Sequence, residues 1–383
     1  MDKKFVMGIA AMAALTLVSC SSDDLDSFSD NSSKNEAISF DGYLGRSAVA
    51  VNGTRGSVLD INALKSTDKD KKGFGVFGYY NSSATDYNST PEQSFEANLF
   101  NNQQVTCPKD GADWTYDNKK YWPSQGHIDF LAYAPFDAST ALKKTTETEP
   151  KNTSCIDFNV DKEIAKQKDL LWANAKNMTK NNLSTDNKVK FQFAHALSRL
   201  GYTVKLNDAY SSATITLNKI TLAGSSDGSS KKAFYTKGTI DLAKSTSDAN
   251  LWASPDPTDP KQNFVEWFSD VNKTDAQKTL SNEVNKAIKN SGDEYLFVIP
   301  QDFSKTEPNA DQLYVIVEYT IKYNSGSAQP TVSYKVYKKL EKNFLQGNAY
   351  TINLNIGLTP IEFNAEVNDW NPKDGESIDA SWN

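Results

Sequence analysis

The sequence has few of the residues that most catalytic and metal sites require. It contains two histidines and three cysteines in 383 residues. A Ser–His–Asp triad depends on a histidine held between two partners, and a zinc site needs several histidine or cysteine ligands at short spacing. The sequence also contains neither an H-E-x-x-H motif nor a phosphate-binding loop. It therefore predicts a protein that is not an enzyme and that holds no metal and no cofactor.

An excess of positive charge is missing as well. The chain carries 41 Lys and Arg against 48 Asp and Glu, a formal net charge of −7. Proteins that bind nucleic acid concentrate Lys and Arg on one face, so this balance argues against a nucleic-acid partner. Hydrophobic residues at 38% and aromatic residues at 11% supply ordinary globular cores. A chain of this length is expected to form two domains.

Long hydrophobic runs are absent after the N-terminus, where Phe5–Leu17 follows two lysines. The run is shorter than the roughly 20 residues that span a bilayer, and its charged start is typical of a secretion signal. It ends in Leu17-Val18-Ser19-Cys20, which resembles the lipobox of bacterial lipoproteins. We interpret residues 1–19 as a signal peptide and Cys20 as the lipidated residue. Lipoprotein export machinery and an outer-membrane or cell-surface location follow from this interpretation.

Residues 20–35 are rich in Ser, Asp and Asn and have little apolar surface. A segment of this composition cannot offset the entropy of ordering, so it is predicted to be a flexible tether. The acidic run Asp23–Asp26 resembles the surface-export signals of Bacteroidales lipoproteins. A plain solvated linker explains the same residues equally well.

The rest of the chain is dominated by short β-type segments. Examples are Gly73–Tyr80, Ile128–Pro135, Val189–His195 and Leu313–Tyr323. Short strands separated by frequent turns predict an all-β fold with minor helix, built as two antiparallel β-sandwiches. One helix is predicted over Thr274–Asn290, from an apolar stripe at helical spacing.

A polar stretch near the middle of the chain suggests where the two domains meet. Lys176–Lys188 is rich in Asn, Thr and Lys and is predicted to be the interdomain linker. The domains are therefore expected at 36–185 and 186–383. Each looks all-β, and the two share no clear sequence repeat.

A few residues have more than one reading. Cys107 and Cys155 could form a disulfide in an oxidising compartment, or remain two separate thiols. His195 is expected to be a structural histidine, because the sequence has only one other. Trp122 could stack on a sugar but is expected to be a core aromatic. Asp256 and Asp259 lie in a loop that lacks calcium-site spacing.

Several motifs, in order along the chain, resemble the fimbrillin family, the pilin-like lipoproteins of Bacteroidales type V pili. They are Tyr121-Trp122-Pro123 followed by Ile128–Pro135, then Phe193–Leu200, Tyr295–Gln301, Phe344–Leu354 and Val367–Trp370. The resemblance implies two transthyretin-like β-sandwich domains in tandem. It also implies a pilus subunit that is exported as a lipoprotein, cut after an arginine by a surface protease and polymerised with other pilin subunits by strand exchange. Such a pilus would support adhesion to a host or bacterial target.

Three arginines are available for processing. Arg46 and Arg55 are flanked by glycine, in the sort of backbone that proteases prefer, and the resemblance favours Arg55. Arg199 lies inside a predicted strand. Both loop arginines could equally be ordinary uncut residues.

Cleavage would release a strand centred on Ile38 and Phe40. The candidate donor that replaces it is Ile361–Val367, in which apolar and polar residues alternate. Its apolar side consists of Ile361, Phe363, Ala365 and Val367. The same alternation also fits a last strand that stays in its own sandwich. The alternative function is a surface lipoprotein that remains anchored and binds a glycan or host ligand without polymerising.

Overall fold

The structure is a computed structural model that describes most of the chain between Glu36 and Asp369. The described residues are 36–44, 61, 63–65, 73–82, 95–108, 112–144, 152–245, 251–256, 258–290, 295–324 and 329–369. The predicted signal peptide and tether lie outside this set, as do Cys20, Arg46 and Arg55. Within the described residues, no helix has both the length and the apolar character needed to cross a membrane.

Strands account for nearly all the regular structure, which confirms the predicted all-β fold. The strands of the first half are β1 (Phe40–Leu44), β2 (Phe74–Asn81), β3 (Phe100–Val105), β4 (His127–Ala134), β5 (Leu142–Lys144), β6 (Asn152–Asn159), β7 (Leu171–Met178) and β8 (Val189–His195). Those of the second half are β9 (Ser198–Leu206), β10 (Ala213–Ala223), β11 (Phe234–Tyr235), β12 (Lys237–Asp241), β13 (Lys261–Gln262), β14 (Phe264–Ser269), β15 (Ile288–Lys289), β16 (Leu296–Val298), β17 (Gln301–Asp302), β18 (Tyr314–Tyr323), β19 (Thr331–Lys339), β20 (Asn343–Phe344), β21 (Ala349–Ile356) and β22 (Asn364–Asp369). One short α-helix, α1 (Asp275–Lys278), accompanies 3-10 turns at Ile164–Lys166, Lys180–Asn182, Val284–Lys286 and Pro360–Glu362.

The first half is organised around a six-stranded sheet in the order β1-β8-β7-β4-β2-β3. Every residue of the central strand β4 is buried, because both faces of the sheet are covered. One face carries an aromatic core that includes Phe40, Phe74, Phe130 and Phe191. The other face packs on a three-stranded sheet in the order β12-β6-β5.

The second half is a sandwich of two sheets. A four-stranded sheet in the order β14-β10-β18-β19 faces a sheet in the order β15-β9-β21-β22, in which β16 also pairs with β9. Their inner side chains form a single core. Two of the pairings in the molecule, β1 with β8 and β9 with β21, are parallel, and the other strand pairs are antiparallel within the described residues.

The polar segment predicted as the interdomain linker has a different place in the structure. Residues 176–178 end β7 and residues 179–188 connect it to β8, and these two strands are neighbours in the six-stranded sheet. The expected boundary at 185/186 therefore falls inside one sheet. The chain passes from the first-half sheet to the second-half sheet between His195 and Ser198. The halves are also joined by β12 of the second half, which pairs with β6 of the first.

The helix predicted over Thr274–Asn290 is wrong. Only Asp275–Lys278 is α-helical, and the segment then crosses from one sheet of the second sandwich to the other. Leu280 donates its backbone N–H to the Ile215 carbonyl at 2.9 Å, and Ile288 begins β15. Val284, which belongs to the predicted apolar stripe, is 70% exposed. Burial of Leu280 and Ile288 in the sandwich core thus overrides the local helical pattern.

Candidate functional site: the β1 groove and the β22 edge

β1 is an edge strand of the six-stranded sheet, and it is unusually deeply buried for one. It pairs in parallel with β8, from Phe40 opposite Val189 to Leu44 opposite Phe193. Ile38 and Phe40 are 0% and 1% exposed. Each such side chain contributes roughly 1.5–3 kcal/mol by its burial. Taking this strand away would leave an apolar groove along β8.

Phe40 occupies the centre of this groove. Its ring centroid lies 5.4 Å from those of Phe100, Tyr116 and Phe130 and 5.7 Å from that of Phe191. Two of these contacts are edge-to-face, the geometry that aromatic pairs prefer. The Phe40 position is therefore a pocket shaped for a large aromatic ring.

The residues just before β1 are clamped by hydrogen bonds from a second segment. The Ile38 N–H donates to the Lys120 carbonyl at 2.8 Å, and the Trp122 N–H donates to the Glu36 carbonyl at 3.2 Å. The Tyr116 hydroxyl donates to the Ile38 carbonyl at 2.8 Å, in a buried position. Burial raises the pKa of Tyr116 to about 12, although its hydrogen bond at Lys120 acts in the opposite direction.

Gly42 is the next inward-facing position after Phe40, and it has little room for a side chain. A Cβ at Gly42 would lie 3.0 Å from Phe193 Cε2, 3.4 Å from Ile61 Cδ1 and 3.5 Å from Phe74 Cε1. A methyl group fits there if the Phe193 ring gives by a few tenths of an ångström. A larger side chain would overlap these neighbours.

The candidate donor segment lies in its own sandwich. β22 is an edge strand that pairs antiparallel with β21, from Asn364 opposite Asn355 to Asp369 opposite Tyr350. Ile361 falls in the preceding 3-10 turn rather than in a strand, so the regular pairing starts later than the predicted alternation. Ala365 is 8% exposed, whereas Phe363 and Val367 are only partly buried against the core.

Cys107 and Cys155 are not joined: the Cys107 Sγ lies 3.2 Å from the Ala112 carbonyl, and Cys155 is in β6, on the far side of the six-stranded sheet. The disulfide reading is therefore wrong and the reading as separate thiols holds. Trp122 is 2% exposed, which makes it a core aromatic and removes it as a sugar-stacking platform.

The buried polar residues at the crossing between the halves have a structural arrangement. His195 Nδ1 lies 2.8 Å from Asp169 Oδ2, and both side chains are buried. Arg199 is 2% exposed, lies in β9 and places its guanidinium 4.4 Å from the Tyr295 ring centroid. Arg199 is therefore shielded from proteases in the folded chain. Arg46 and Arg55 lie outside the described residues.

No metal-binding cluster is found among the residues that the structure describes. They contain no group of three or more His, Cys, Asp or Glu side chains that could hold a metal ion. Gly224–Gly228 matches the letters of the G-x-S-x-G hydrolase motif, but it forms a turn in which Ser225 and Ser229 bond to Asp227. The hydrolase motif requires a strand-to-helix elbow, which this turn is not.

Sequence reasoning missed most of the groove lining. Tyr116 and Phe100 showed no signal, because nothing in their local sequence places them beside Ile38 and Phe40. Phe191 and Phe193 could have been found, because they alternate with polar residues in Val189–His195 and so share one face of that strand.

These features define a tandem β-sandwich protein with an aromatic groove that its own first strand fills. The chain belongs to the fimbrillin-like family, which matches residues 62–370. Fimbrium subunit Fim1C of Phocaeicola vulgatus is 26% identical over an alignment of 386 positions, gaps included, that covers 94% of each chain. A crystal structure of a fimbrial protein from Bacteroides vulgatus is similar with a TM-score of 0.63 at 21% identity, covering 87% of this chain and 98% of that one. The latter likeness concerns the fold.

Proposed function

We propose that the chain is a structural subunit of a cell-surface pilus, in which copies or related subunits are joined by exchange of β-strands. Membership of the fimbrillin-like family and the similarity to a fimbrium subunit support a pilus or adhesion role. The observation that carries the strand-exchange mechanism is β1: a terminal edge strand whose side chains fill a deep aromatic pocket. Such a strand, once lost, leaves unpaired backbone groups and an apolar groove that only another strand can satisfy.

Processing follows from where the arginines lie. Arg46 and Arg55 come shortly after β1 ends at Leu44, so cleavage at either separates β1 from the rest of the chain. Arg199 is buried and would not be cut in the folded protein. A surface protease with arginine specificity would therefore act at the one place where cleavage frees the groove.

The donor strand in this proposal is the segment 361–367 of a second subunit. In its own sandwich this segment comprises the end of a 3-10 turn and the first residues of the edge strand β22, and it carries two partly buried apolar side chains, Phe363 and Val367. An edge strand can leave without breaking a ladder on both sides. Its apolar side chains would become fully buried in the β1 groove, and this gain favours exchange.

Export completes the proposed sequence. Lipidation at Cys20 would hold the unprocessed subunit at the outer membrane, where the lipid chains contribute about 0.8 kcal/mol per buried CH₂. Cleavage after Arg46 or Arg55 then removes the lipid anchor together with β1. The released subunit becomes part of the pilus, and the pilus supports adhesion.

The experiment that tests this function is treatment of the purified full chain with an arginine-specific protease. Ladders that resist SDS without boiling are expected, because a polymer joined by buried strands dissociates slowly. The same chain ended at Thr359 should be cut identically but should give no ladder. N-terminal sequencing of the cleaved chain should read from Ser47 or Gly56. Cleavage that yields only monomers would contradict polymerisation and would favour the anchored ligand-binding protein instead.

A further inference from the structure

β1 and the candidate donor segment carry the same order of side chains on their inward-facing side. In β1 and the residue pair before it, the buried positions are Ile38, Phe40, Gly42 and Leu44. In the C-terminal segment, the alternate positions are Ile361, Phe363, Ala365 and Val367. Both therefore run aliphatic, phenylalanine, smallest residue, aliphatic, in the same direction along the chain.

We propose that the groove accepts segment 361–367 of a second copy of this chain in one register, parallel to β8, so that each residue replaces its counterpart in β1. This inference rests on the proposed function and names the partner segment and its alignment. Phe363 takes the Phe40 pocket, Ala365 takes the Gly42 position and Val367 takes the Leu44 position. The outward-facing residues Glu362, Asn364 and Glu366 then lie in water.

The contrast between the Phe40 pocket and the Gly42 position fixes the register. The pocket is bounded by four aromatic rings within 5.7 Å of the Phe40 centroid, whereas a Cβ at Gly42 already lies 3.0 Å from Phe193. A slip of two residues in one direction puts Phe363 at Gly42, where it overlaps Phe193. A slip in the other direction puts Ala365 in the Phe40 pocket and leaves it nearly empty. A slip of one residue buries Glu362 and Glu366.

The same contrast excludes the reversed direction. If the segment ran antiparallel to β8, Ala365 would occupy the Phe40 pocket and Phe363 would fall at Gly42. Both mismatches would then occur together. The groove thus distinguishes the two ends of the donor as well as its register.

The backbone of the donor is compatible with this alignment, including its proline. Within the described part of the chain, residues 36–39 are held by hydrogen bonds of the Ile38 N–H and of the carbonyls of Glu36, Ile38 and Ser39. Pro360 aligns with Ala37, whose N–H takes part in none of these bonds. Ile361 can therefore donate to Lys120 and accept from Tyr116 as Ile38 does. Among the described residues, a proline at this position removes none of the hydrogen bonds that hold 36–39.

The rim of the groove also suits an acidic strand. The register of β1 on β8 places Asp41 opposite Lys190, and the same register continued by one residue would place Ser39 opposite Lys188. Both lysines are partly exposed, and each already pairs with a carboxylate of this chain, Lys188 with Asp113 and Lys190 with Asp186. In the proposed alignment Glu362 faces Lys188, and Lys190 lies between Glu362 and Glu366. Complementary charge of this kind helps to select the partner.

The alignment is tested in the intact chain, without any polymer, by grafting the donor sequence onto β1. The graft makes residues 38–44 read I-E-F-N-A-E-V through Ser39→Glu, Asp41→Asn, Gly42→Ala, Tyr43→Glu and Leu44→Val. Its matched control has the same composition, with the phenylalanine and the alanine exchanged. The control carries Phe40→Ala and Gly42→Phe, and it keeps the graft's changes at Ser39, Asp41, Tyr43 and Leu44. Urea unfolding followed by aromatic fluorescence compares both with the parent.

The urea midpoint of the graft should lie within about 0.5 M of the parent's midpoint. The midpoint of the exchanged control should fall by more than about 1 M. Equal midpoints for graft and control would overturn the register, as would a graft that falls as far as the control. This measurement does not depend on assembly, so a graft that fails while the processed parent still forms ladders rejects the alignment and leaves the pilus function standing. A successful graft with no ladders rejects the function instead.

Discussion

The two edge strands β1 and β22 have nearly the same pattern of side chains but very different depths in the molecule. In β1 the phenylalanine is 1% exposed and touches four aromatic rings, whereas Phe363 beside β22 is only partly buried. The pattern alone therefore does not say which strand holds its sheet together and which can leave. The depth of burial does distinguish them, because removal of β1 would leave an apolar groove, whereas removal of β22 would expose little apolar surface that is now buried.

Tyr116 and Tyr319 are two buried tyrosines that differ in whether the hydroxyl has a hydrogen-bond partner. The Tyr116 hydroxyl donates to the Ile38 carbonyl and so ties β1 in place. The Tyr319 hydroxyl, in the core of the second sandwich, is buried with no hydrogen-bond partner among the described residues. Burial raises the pKa of both to about 12, with Tyr334 the next contributor at Tyr319.

The largest expected effect is the loss of the Phe40 ring. Phe40→Ala should lower the free energy of unfolding of the intact chain by about 3–5 kcal/mol, because it empties a pocket enclosed by rigid rings. Phe363→Ala, the matched change in the other strand, should cost only about 1–2 kcal/mol, because its side chain is partly exposed. Urea unfolding measures both. Equal losses would remove the difference in depth on which the comparison rests.

A charge at Phe363 should separate the stability of the subunit from its assembly. Phe363→Glu should lower the free energy of unfolding by about 1–2 kcal/mol, yet it should abolish ladders, because an unpaired carboxylate would have to enter the Phe40 pocket. Asn364→Glu is the matched control: it adds the same charge one residue away, on the outward face, and should polymerise normally. Ladders of parental length from Phe363→Glu would exclude this segment as the donor.

The Tyr116 hydrogen bond should contribute less, and its contribution should depend on pH. Tyr116→Phe should cost about 1 kcal/mol at neutral pH. Since the folded pKa of about 12 lies above the ordinary value of 10, the parent keeps this stability below pH 10 and loses it as the pH rises toward 12. The gap between parent and variant in urea unfolding should therefore narrow from pH 10 upward. A gap that widens there would contradict the assignment.

Tyr319→Phe should have the smallest effect at neutral pH. Removing a buried hydroxyl that has no partner should change the free energy of unfolding by less than about 0.5 kcal/mol, or should raise it. Above pH 10 the variant should become more stable than the parent, because its unfolded state no longer gains from ionisation of this phenol. A loss comparable to that of Tyr116→Phe would reveal a hydrogen bond at Tyr319.

The sequence predicted most long strands because their patterns are local. Gly73–Tyr80, Ile128–Pro135 and Leu313–Tyr323 correspond closely to β2, β4 and β18. The helix prediction at Thr274–Asn290 failed because Leu280 and Ile288 pair with two different sheets and Val284 is exposed, so these residues do not share one helical face. The interdomain linker was predicted at a connection between neighbouring strands, because such a polar connection has the same composition as one between domains.

The candidate site was predicted in part, for a related reason. Alternation identified the two strands, Ile38–Leu44 and Ile361–Val367, but not how deeply each is buried. Depth depends on Phe100, Tyr116 and Phe130, which come from distant parts of the chain. No local pattern reports such contacts. The lack of room for a side chain at Gly42 likewise follows only from the position of Phe193.

The most direct test of strand exchange between copies is a cross-link in the assembled polymer. Asp41 of β1 lies opposite Lys190, so the donor's Asn364 should take that place, within the Cα separation that a disulfide can bridge. Lys190→Cys combined with Asn364→Cys should give a disulfide between subunits after arginine-specific cleavage, identified by peptide mapping without reductant. Lys190→Cys with Glu366→Cys, two residues out of register, should stay reduced. Polymers in which the first pair stays reduced, or in which the second pair forms the bond, would contradict the account.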